Sequence, residues 1–287
     1  MSLAGLPERR SDTVVCIPTY NEGGSIGTLL DAISALPRTL DIVIIDDGST
    51  DGTREAIAAR AATNPHVLMI ERNGKLGIGS AHQLGWLHAR RCGYARIVTL
   101  DADLSHDPAD IPRLLSALDA GAEVAIGSRF VTGGRLDYSG WRLFVSRTAN
   151  IVARILLQLK THEQTTSLRA AKLASIPEGL VESTLSDGYS FFLTCMARFT
   201  RARLSITELP IHFRDRNSGQ SKLPAFEIVR CGANLLRLAT IERKLPPQVP
   251  LLGEHEATCK VCARPYRVRT ETGAIRCLAC LDETQVN

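Results

Sequence analysis

From Thr13 to Gly127 the chain alternates short β-branched apolar runs with stretches whose apolar residues recur at helical spacing. The runs TVVCIP, DIVIID, HVLMIE, RIVTLD and EVAIG read as strands, and SIGTLLDAISAL and DIPRLLSALDAG as helices between them. This alternation predicts βαβ units and an α/β fold with a mostly parallel central sheet. In such sheets ligands bind in the crevice beyond the carboxyl ends of the strands. Those ends are acidic here: Glu22 follows the first run, Asp46 and Asp47 close the second, and Asp101 and Asp103 close the fourth.

Beyond Gly127 comes a glycine-rich loop, VTGGRLDYSGW, then a helical stretch, RLFVSRTANIVARILLQL, then a mixed region ending in ELPIHFRDRNSGQSKL. Residues Pro224 to Glu242 read as an amphipathic helix, with Glu227, Arg230, Asn234 and Arg237 on one face. These patterns divide the chain into a main domain over 12–243, a proline-rich linker over 244–257 and a small module over 258–287.

The 287 residues suffice for one large domain plus a small module, and a hydrophobic content of 44% supplies a core. A net charge of +4 is too mild for a duplex nucleic-acid binder, and the scarce aromatics leave little for base stacking. The opening MSLAGLPERRSD lacks the apolar stretch of a secretion signal, and nowhere do roughly 18 apolar residues run without a charge. The expected location is therefore the cytoplasm. Cys16, Cys92, Cys195 and Cys231 are scattered singly through apolar or helical segments, as reduced core thiols are.

If the fourth strand continues to Asp103, its period of two puts Asp101 and Asp103 on the same side, with small Ala102 between them. Such a pair suits Mg²⁺ or Mn²⁺, which prefer oxygen ligands and often bind through one or two carboxylates while substrate phosphates complete the shell. The same stretch also reads as a helix start, because SHDPADIP offers capping residues and a proline at helix entry. Glycosidase carboxylates face each other across a substrate, whereas these are near neighbours. A dinucleotide fold would let Asp46 hold a ribose, but IPTYNEGG puts Pro18 and Glu22 where glycines should cradle a pyrophosphate. No phosphate loop of the GxxxxGK[ST] kind occurs.

The stretches IPTYNE, IIDDGSTDGT and DADLSHDP resemble, in order and spacing, the family 2 glycosyltransferases of GT-A fold. Within that family the likeness is to the dolichol-phosphate mannosyltransferases, which move mannose from GDP-mannose to a polyprenyl phosphate. RNGKLGIGSAHQLGW, AIGSRF, SRTAN, GYSF and RNSGQSKL follow in the order those enzymes have them, so the resemblance runs from about residue 12 to residue 242. It implies that Pro18, Tyr20, Glu22, Ile45 and Asp47 form the nucleoside pocket, with Asp46 close by. It further implies that Asp101, Ala102 and Asp103 meet the diphosphate, the Mg²⁺ or Mn²⁺ and the donor sugar, with Ser105 at the metal. Arg129, Arg216 and Lys222 resemble the basic cluster at the donor and acceptor phosphates, and Arg147 with Asn150 matches the SRxxN element on the acceptor side.

The chemistry of that reaction fits these residue types. A lipid phosphate is already an anionic nucleophile near neutral pH, so attack at the anomeric carbon, with inversion, needs no general base. What it needs is offsetting charge on the leaving diphosphate and cationic side chains that hold two repelling phosphate groups together. Bland readings stand beside these. Tyr20 and Glu22 also suit a packed aromatic and a helix-start acid, Arg129 a surface ion pair, and Arg147 and Asn150 a polar stripe on a buried helix. A transferase with a soluble acceptor, or a non-catalytic nucleotide-sugar sensor, would use the same donor pocket.

The chain departs from these relatives where they carry DxTSGFRA and it has EQTTSLRA, so that Glu163 replaces aspartate and Ser167 replaces glycine. Losing that glycine matters if the backbone there is left-handed or approaches a ligand. Thr194 stands where relatives place a glutamate. Some related transferases end in membrane helices; here the amphipathic stretch after Leu223 is the candidate for peripheral contact with a bilayer.

In the tail, Cys259, Cys262, Cys277 and Cys280 form two CxxC knuckles around ARPYRVRTETGAIR, which alternates and turns near Gly273 like a hairpin. Four thiolates so spaced predict a structural Zn²⁺ in a zinc ribbon, where the metal supplies much of the folding free energy. Lys260, Arg264, Arg267, Arg269 and Arg276 make it basic, which suits a protein partner, a membrane surface or nucleic acid, or simply keeps the module soluble.

Overall fold

The computed structural model describes residues 9–72, 74–137, 140–182, 190–215, 235–236, 238–240, 254–258 and 265–269, the last two ranges as backbone. The sequence pattern is realised as β1 (Thr13–Thr19), α1 (Ile26–Ser34), β2 (Asp41–Asp46), α2 (Thr53–Ala61), β3 (Val67–Glu71), α3 (Ile78–Arg91), β4 (Arg96–Thr99), α4 (Ile111–Asp119) and β5 (Val124–Ser128). There follow β6 (Arg135–Leu136), α5 (Gly140–Leu157), β7 (Arg169–Lys172), α6 (Ser190–Arg201), β8 (Ile206–Pro210), β9 (His212–Phe213), β10 (Glu254–Thr258) and β11 (Pro265–Arg269).

The seven-stranded sheet has the order β3-β2-β1-β4-β7-β5-β8. Within it β7 runs antiparallel to both β4 and β5, while the other pairings are parallel. Strand alternation builds two apolar layers. Val14, Cys16, Val43 and Ile45 pack on one face with Trp86 of α3 and Phe191 and Phe199 of α6. Val15, Ile17, Ile42 and Ile44 pack on the other with Leu29 and Leu30 of α1 and Leu114 and Leu118 of α4. Covering both faces is why these strands read as continuous apolar runs, and each fully buried Ile or Leu contributes about 1.5–3 kcal/mol.

The sequence pattern did not mark β7. Its RAAK is short and weakly apolar, and tertiary pairing on both sides makes it a strand. The second sheet pairs β6 with β9 in parallel, and β10 pairs antiparallel with β11. β10 and β11 flank residues 259–264, which lie outside the described residues, and β10 takes in residues read as linker. The expected turn near Gly273 lies outside the described residues, as do Glu227, Arg230, Asn234 and Arg237. Residues 235–236 and 238–240 are helical, within the predicted amphipathic stretch.

Candidate active site

Strand order reverses between β1 and β4: β2 and β3 lie on one side of β1, and β4 on the other. A switch of this kind opens a crevice at the carboxyl ends of the strands. Tyr20 follows β1 and Asp47 follows β2, the two ends being tied by the Asp47 amide donating to the Thr19 carbonyl at 2.9 Å. On the other side, Cys16 of β1 is in register with Thr99 of β4, and Asp101 comes just beyond it. The residues singled out in three separate motifs therefore share one edge.

On the β1–β2 side, Tyr20 is exposed and the Lys75 ammonium stands 4.1 Å from its ring centroid, a cation–π contact that leaves an aromatic platform at the rim. Pro18, near the end of β1, is half-buried. Glu22 opens α1, where its carbonyl accepts from the Ser25 and Ile26 amides and its Oε2 from the Ser25 hydroxyl at 3.0 Å. Ile45 is fully buried among core residues, so its side chain supports the pocket from beneath.

The two aspartates after β2 have different surroundings. Asp46 is fully buried and organises the turn, accepting from the Gly48 and Ser49 amides at 3.1 and 2.9 Å, from the Ser49 hydroxyl and from Arg54 Nε at 2.9 Å. Gly48 makes that turn with φ +83, a left-handed conformation that costs glycine nothing. Asp47 pairs with buried Arg72 and accepts the Leu76 and Gly77 amides at 3.1 and 3.0 Å. Burial pushes the Asp47 carboxyl up, by more than Arg72 and the amides pull it down. Burial likewise pulls the Arg72 guanidinium below the ordinary arginine value. Arg72 also donates to Ser80 Oγ at 2.7 Å and the Gly77 carbonyl at 3.1 Å, fixing the loop that carries Lys75. Sequence reasoning passed over Arg72 and Lys75. Yet a charged residue directly behind an apolar strand is the signal that marked Asp46 and Asp47.

On the β4 side the strand does not reach Asp103. It ends at Thr99, and Asp101 to His106 form a turn in which Leu104 has φ 61, a left-handed conformation rare for a leucine. The turn, and not strand alternation, sets the place of each carboxylate: Asp103 Oδ1 accepts the Ser105 amide at 3.0 Å, and Asp101 Oδ2 lies 3.9 Å from His106 Nδ1. Ala102 and Ser105 are buried, and the Ser105 hydroxyl has no hydrogen-bond partner among the described residues. The helix-entry reading also holds, one step later: Asp107 caps Ala109 at 3.0 Å ahead of Pro108.

Arg129, just past β5, is not a surface ion pair. Its Nε and Nη2 meet Glu163 Oε2 and Oε1 at 2.6 and 2.7 Å, and Nη2 also meets Thr165 Oγ1 at 2.7 Å. Glu163 is fully buried. Burial alone would raise its carboxyl, but Arg129 and the Thr165 hydrogen bonds outweigh that and leave it below the ordinary range. A Cβ on Gly134 would come within 2.7 Å of the Arg129 backbone, so a glycine there lets the loop close over the arginine. The Phe213 ring joins the two halves: Arg129 Cζ lies 5.0 Å from its centroid, and the His106 ring meets it edge-on at 5.1 Å. From Phe213 the chain continues to Arg214, whose amide donates to the Ser105 carbonyl at 3.0 Å. Arg216 and Lys222 lie outside the described residues.

Ser167 does not have a positive φ, so the lost glycine imposes no backbone strain; its carbonyl accepts the Thr99 hydroxyl at 2.6 Å. Thr194 is buried within α6, its hydroxyl donating to the Ser190 carbonyl at 2.9 Å. Asn150 and Arg147 separate. Asn150 is buried and its Oδ1 accepts the Gln164 amide at 2.8 Å, tying α5 to the loop that holds Glu163, whereas Arg147 is exposed. Buried Arg169, also overlooked in the sequence, secures the same loop through the Thr166 and Gln164 carbonyls at 2.8 and 2.9 Å. Cys259, Cys262, Cys277 and Cys280 lie outside the described residues. Among the described residues there is no group of three or more His, Cys, Asp or Glu side chains placed to hold a metal.

The sheet order, with one antiparallel strand between β4 and β5 and an acidic turn behind β4, is that of a GT-A glycosyltransferase fold. Residues 14–177 match the model of glycosyl transferase family 2. The chain belongs to that family and is a glycosyltransferase. It is 37% identical over 75% of its length to a polyprenol monophosphomannose synthase of Mycolicibacterium smegmatis, covering 82% of that protein. To an undecaprenyl-phosphate mannosyltransferase of Micrococcus luteus it is 34% identical over 77% of its length and 91% of that protein. Among solved structures, glucosyl-3-phosphoglycerate synthase of Mycobacterium tuberculosis, in complex with Mn²⁺, UDP and glucosyl-3-phosphoglycerate, superposes with TM-score 0.57 at 20% identity. That match spans 82% of this chain and 80% of the other, and it shares the fold.

Proposed function

We propose that this protein transfers a hexose, mannose from GDP-mannose, to the phosphate of a polyprenyl or dolichyl phosphate, with inversion at the anomeric carbon. The names of the two mannosyltransferase relatives support the sugar and the class of acceptor. The observation that carries the reading is that His106, of the turn bearing Asp101 and Asp103, and the Arg129 guanidinium meet one ring, Phe213, with Asp101 Oδ2 3.9 Å from the His106 Nδ1.

The donor set of the turn fits Mg²⁺ or Mn²⁺. Its side chains offer oxygen from Asp101, Asp103 and Ser105, and the buried Ser105 hydroxyl lacks a partner that a cation or its water would supply. A cation held there would offset charge on the leaving nucleoside diphosphate. Tyr20 and Pro18 wall the nucleoside, while Asp47 and Arg72 fix the loop beside it. Arg129, held flat by Glu163, presents a planar cation to phosphate oxygens, with Arg147, Arg216 and Lys222 as the further cations of the acceptor side. The acceptor phosphate is itself the nucleophile, so no side chain is required as general base.

Among the described residues no helix is long and apolar enough to cross a membrane. A lipid acceptor then calls for peripheral contact with a membrane face. Cys259, Cys262, Cys277 and Cys280 hold one structural Zn²⁺ in this reading, supported by the β10–β11 pairing across the first knuckle. Cys259→Ser should release the zinc, read by metal analysis of the purified chain; one zinc per chain retained would refute the four-thiolate site.

The test of the reaction is a single-turnover assay with Mn²⁺, labelled GDP- and UDP-sugars and a short polyprenyl phosphate. Organic-phase label from GDP-mannose is expected. Label only with soluble acceptors would assign a different acceptor, and donor binding without any transfer would favour a nucleotide-sugar sensor.

A further inference from the structure

Helix α5 is built the wrong way round for a helix that serves only the core. Asn150 and Ala153 are buried and fix the face that packs on the domain. Phe144, Ile151 and Ile155 lie on the opposite face, 59%, 58% and 69% exposed, with exposed Val152 and Leu156 beside them. Single exposed apolar residues are ordinary, but a stripe recurring along one helix at i, i+7 and i+11 marks a surface that is covered in use.

Its charge pattern selects the cover. The eighteen residues of α5 include Arg142, Arg147 and Arg154 and no aspartate or glutamate. Arg147 and Arg154, seven residues apart, lie exposed along one flank of the stripe, and exposed Lys160 follows the helix. A helix with an apolar face, a basic flank and no acidic side chain matches the interface of an anionic bilayer, where the apolar residues enter the acyl boundary and the cations meet headgroup phosphates. A protein partner would have to supply both an apolar groove and acidic residues.

We infer that α5 seats the protein on an anionic membrane surface through Phe144, Ile151 and Ile155, flanked by Arg147 and Arg154, and so delivers the site to its lipid acceptor. The inference rests on the proposed lipid-phosphate acceptor. It also gives the helix a mechanical role, because Asn150 joins the seated helix to Gln164, next to the Glu163 that holds Arg129.

The test uses the full chain and vesicles of phosphatidylcholine with or without phosphatidylglycerol. Wild type should float with the phosphatidylglycerol vesicles. The Ile151→Glu/Ile155→Glu variant should bind them at least about tenfold more weakly, and Arg154→Gln should lower binding to the anionic vesicles alone. Ile155→Trp provides a readout that needs no loss: its added emission should shift to the blue with anionic vesicles. Transfer to polyprenyl phosphate in vesicles should fall in the double variant, while transfer to the same acceptor in detergent micelles is retained. Equal flotation of wild type and double variant, or none by wild type, would overturn the inference even if micellar transfer proceeds. So would a wild-type dimer that the double substitution dissociates in light scattering. Flotation lost in the variant but no transfer in any format would refute the acceptor assignment and leave the membrane seat standing.

Discussion

Arg129 and Glu163 form a two-point pair inside the protein, Nε to Oε2 at 2.6 Å and Nη2 to Oε1 at 2.7 Å, with the carboxylate fully buried. The longer side chain at this position does not abolish the anchor; it reaches the guanidinium with both oxygens. Removing one partner of a buried pair leaves an uncompensated charge, which costs about 3–5 kcal/mol. Glu163→Ala should therefore lower stability by about 3 kcal/mol in urea unfolding and, by freeing Arg129 to leave its position, cut turnover by about 10²-fold. Glu163→Asp should restore more activity than Glu163→Gln, because charge and not length is what holds the guanidinium.

The same pair sets a pH dependence. The Glu163 carboxyl lies below the ordinary range in the folded protein, so the unfolded chain binds its proton first as pH falls, and stability rises with pH across that interval. The contribution is fully present above the unfolded value of about 4.3 and is lost as pH falls through the folded value. Asp41, also lowered, acts in the same sense: burial raises its carboxyl, but hydrogen bonds from His66, the Arg10 and Ser11 amides and Tyr94 outweigh that. The Glu163 share is isolated by comparison with Glu163→Gln, whose unfolding free energy should fall less steeply below about pH 4.3. Parallel curves would mean that the pair adds nothing to acid stability.

Arg72 and Asp47 make a contrasting pair. Both are shifted toward their neutral forms, so burying them charged costs folding free energy, and the pair is retained for the geometry of the 76–77 loop. Arg72→Ala should destabilise the protein, and Asp47→Asn in that background should recover part of the loss, giving a coupling of about 1–3 kcal/mol in a double-mutant cycle. Both variants should weaken nucleotide binding in calorimetry. An additive cycle would show that Arg72 does not depend on Asp47.

The fold was legible because parallel strands covered on both faces leave continuous apolar runs, and DIVIID and TVVCIP became β2 and β1 almost to the residue. The candidate site was legible where acids close apolar strands, as Asp46 and Asp47 do at the end of β2. The alternation expected to put Asp101 and Asp103 on one side does not hold, since β4 ends at Thr99 and both stand in the turn that follows. What the sequence did not disclose depends on distant partners. No local pattern joins Arg129 to Glu163, brings Phe213 between Arg129 and His106, or divides SRxxN into a buried Asn150 and an exposed Arg147. RAAK is likewise a strand only because β4 and β5 pair with it.

The acidic turn permits a prediction in which stability and metal affinity move in opposite directions. A buried hydroxyl without a partner costs about 1–3 kcal/mol, and Ser105 is such a group beside Asp103. Ser105→Ala should therefore raise the unfolding free energy in the absence of metal, by about 1 kcal/mol, while weakening Mn²⁺ binding measured by electron paramagnetic resonance with GDP present. Asp103→Ala removes the acceptor of the Ser105 amide and should cost about 1 kcal/mol, leave circular dichroism unchanged and abolish metal-dependent transfer. If Ser105→Ala is more stable and binds Mn²⁺ as wild type does, the hydroxyl is not a ligand and the turn offers two carboxylates only. If Asp103→Ala retains both Mn²⁺ binding and turnover, Asp103 is not a metal ligand and its assignment fails.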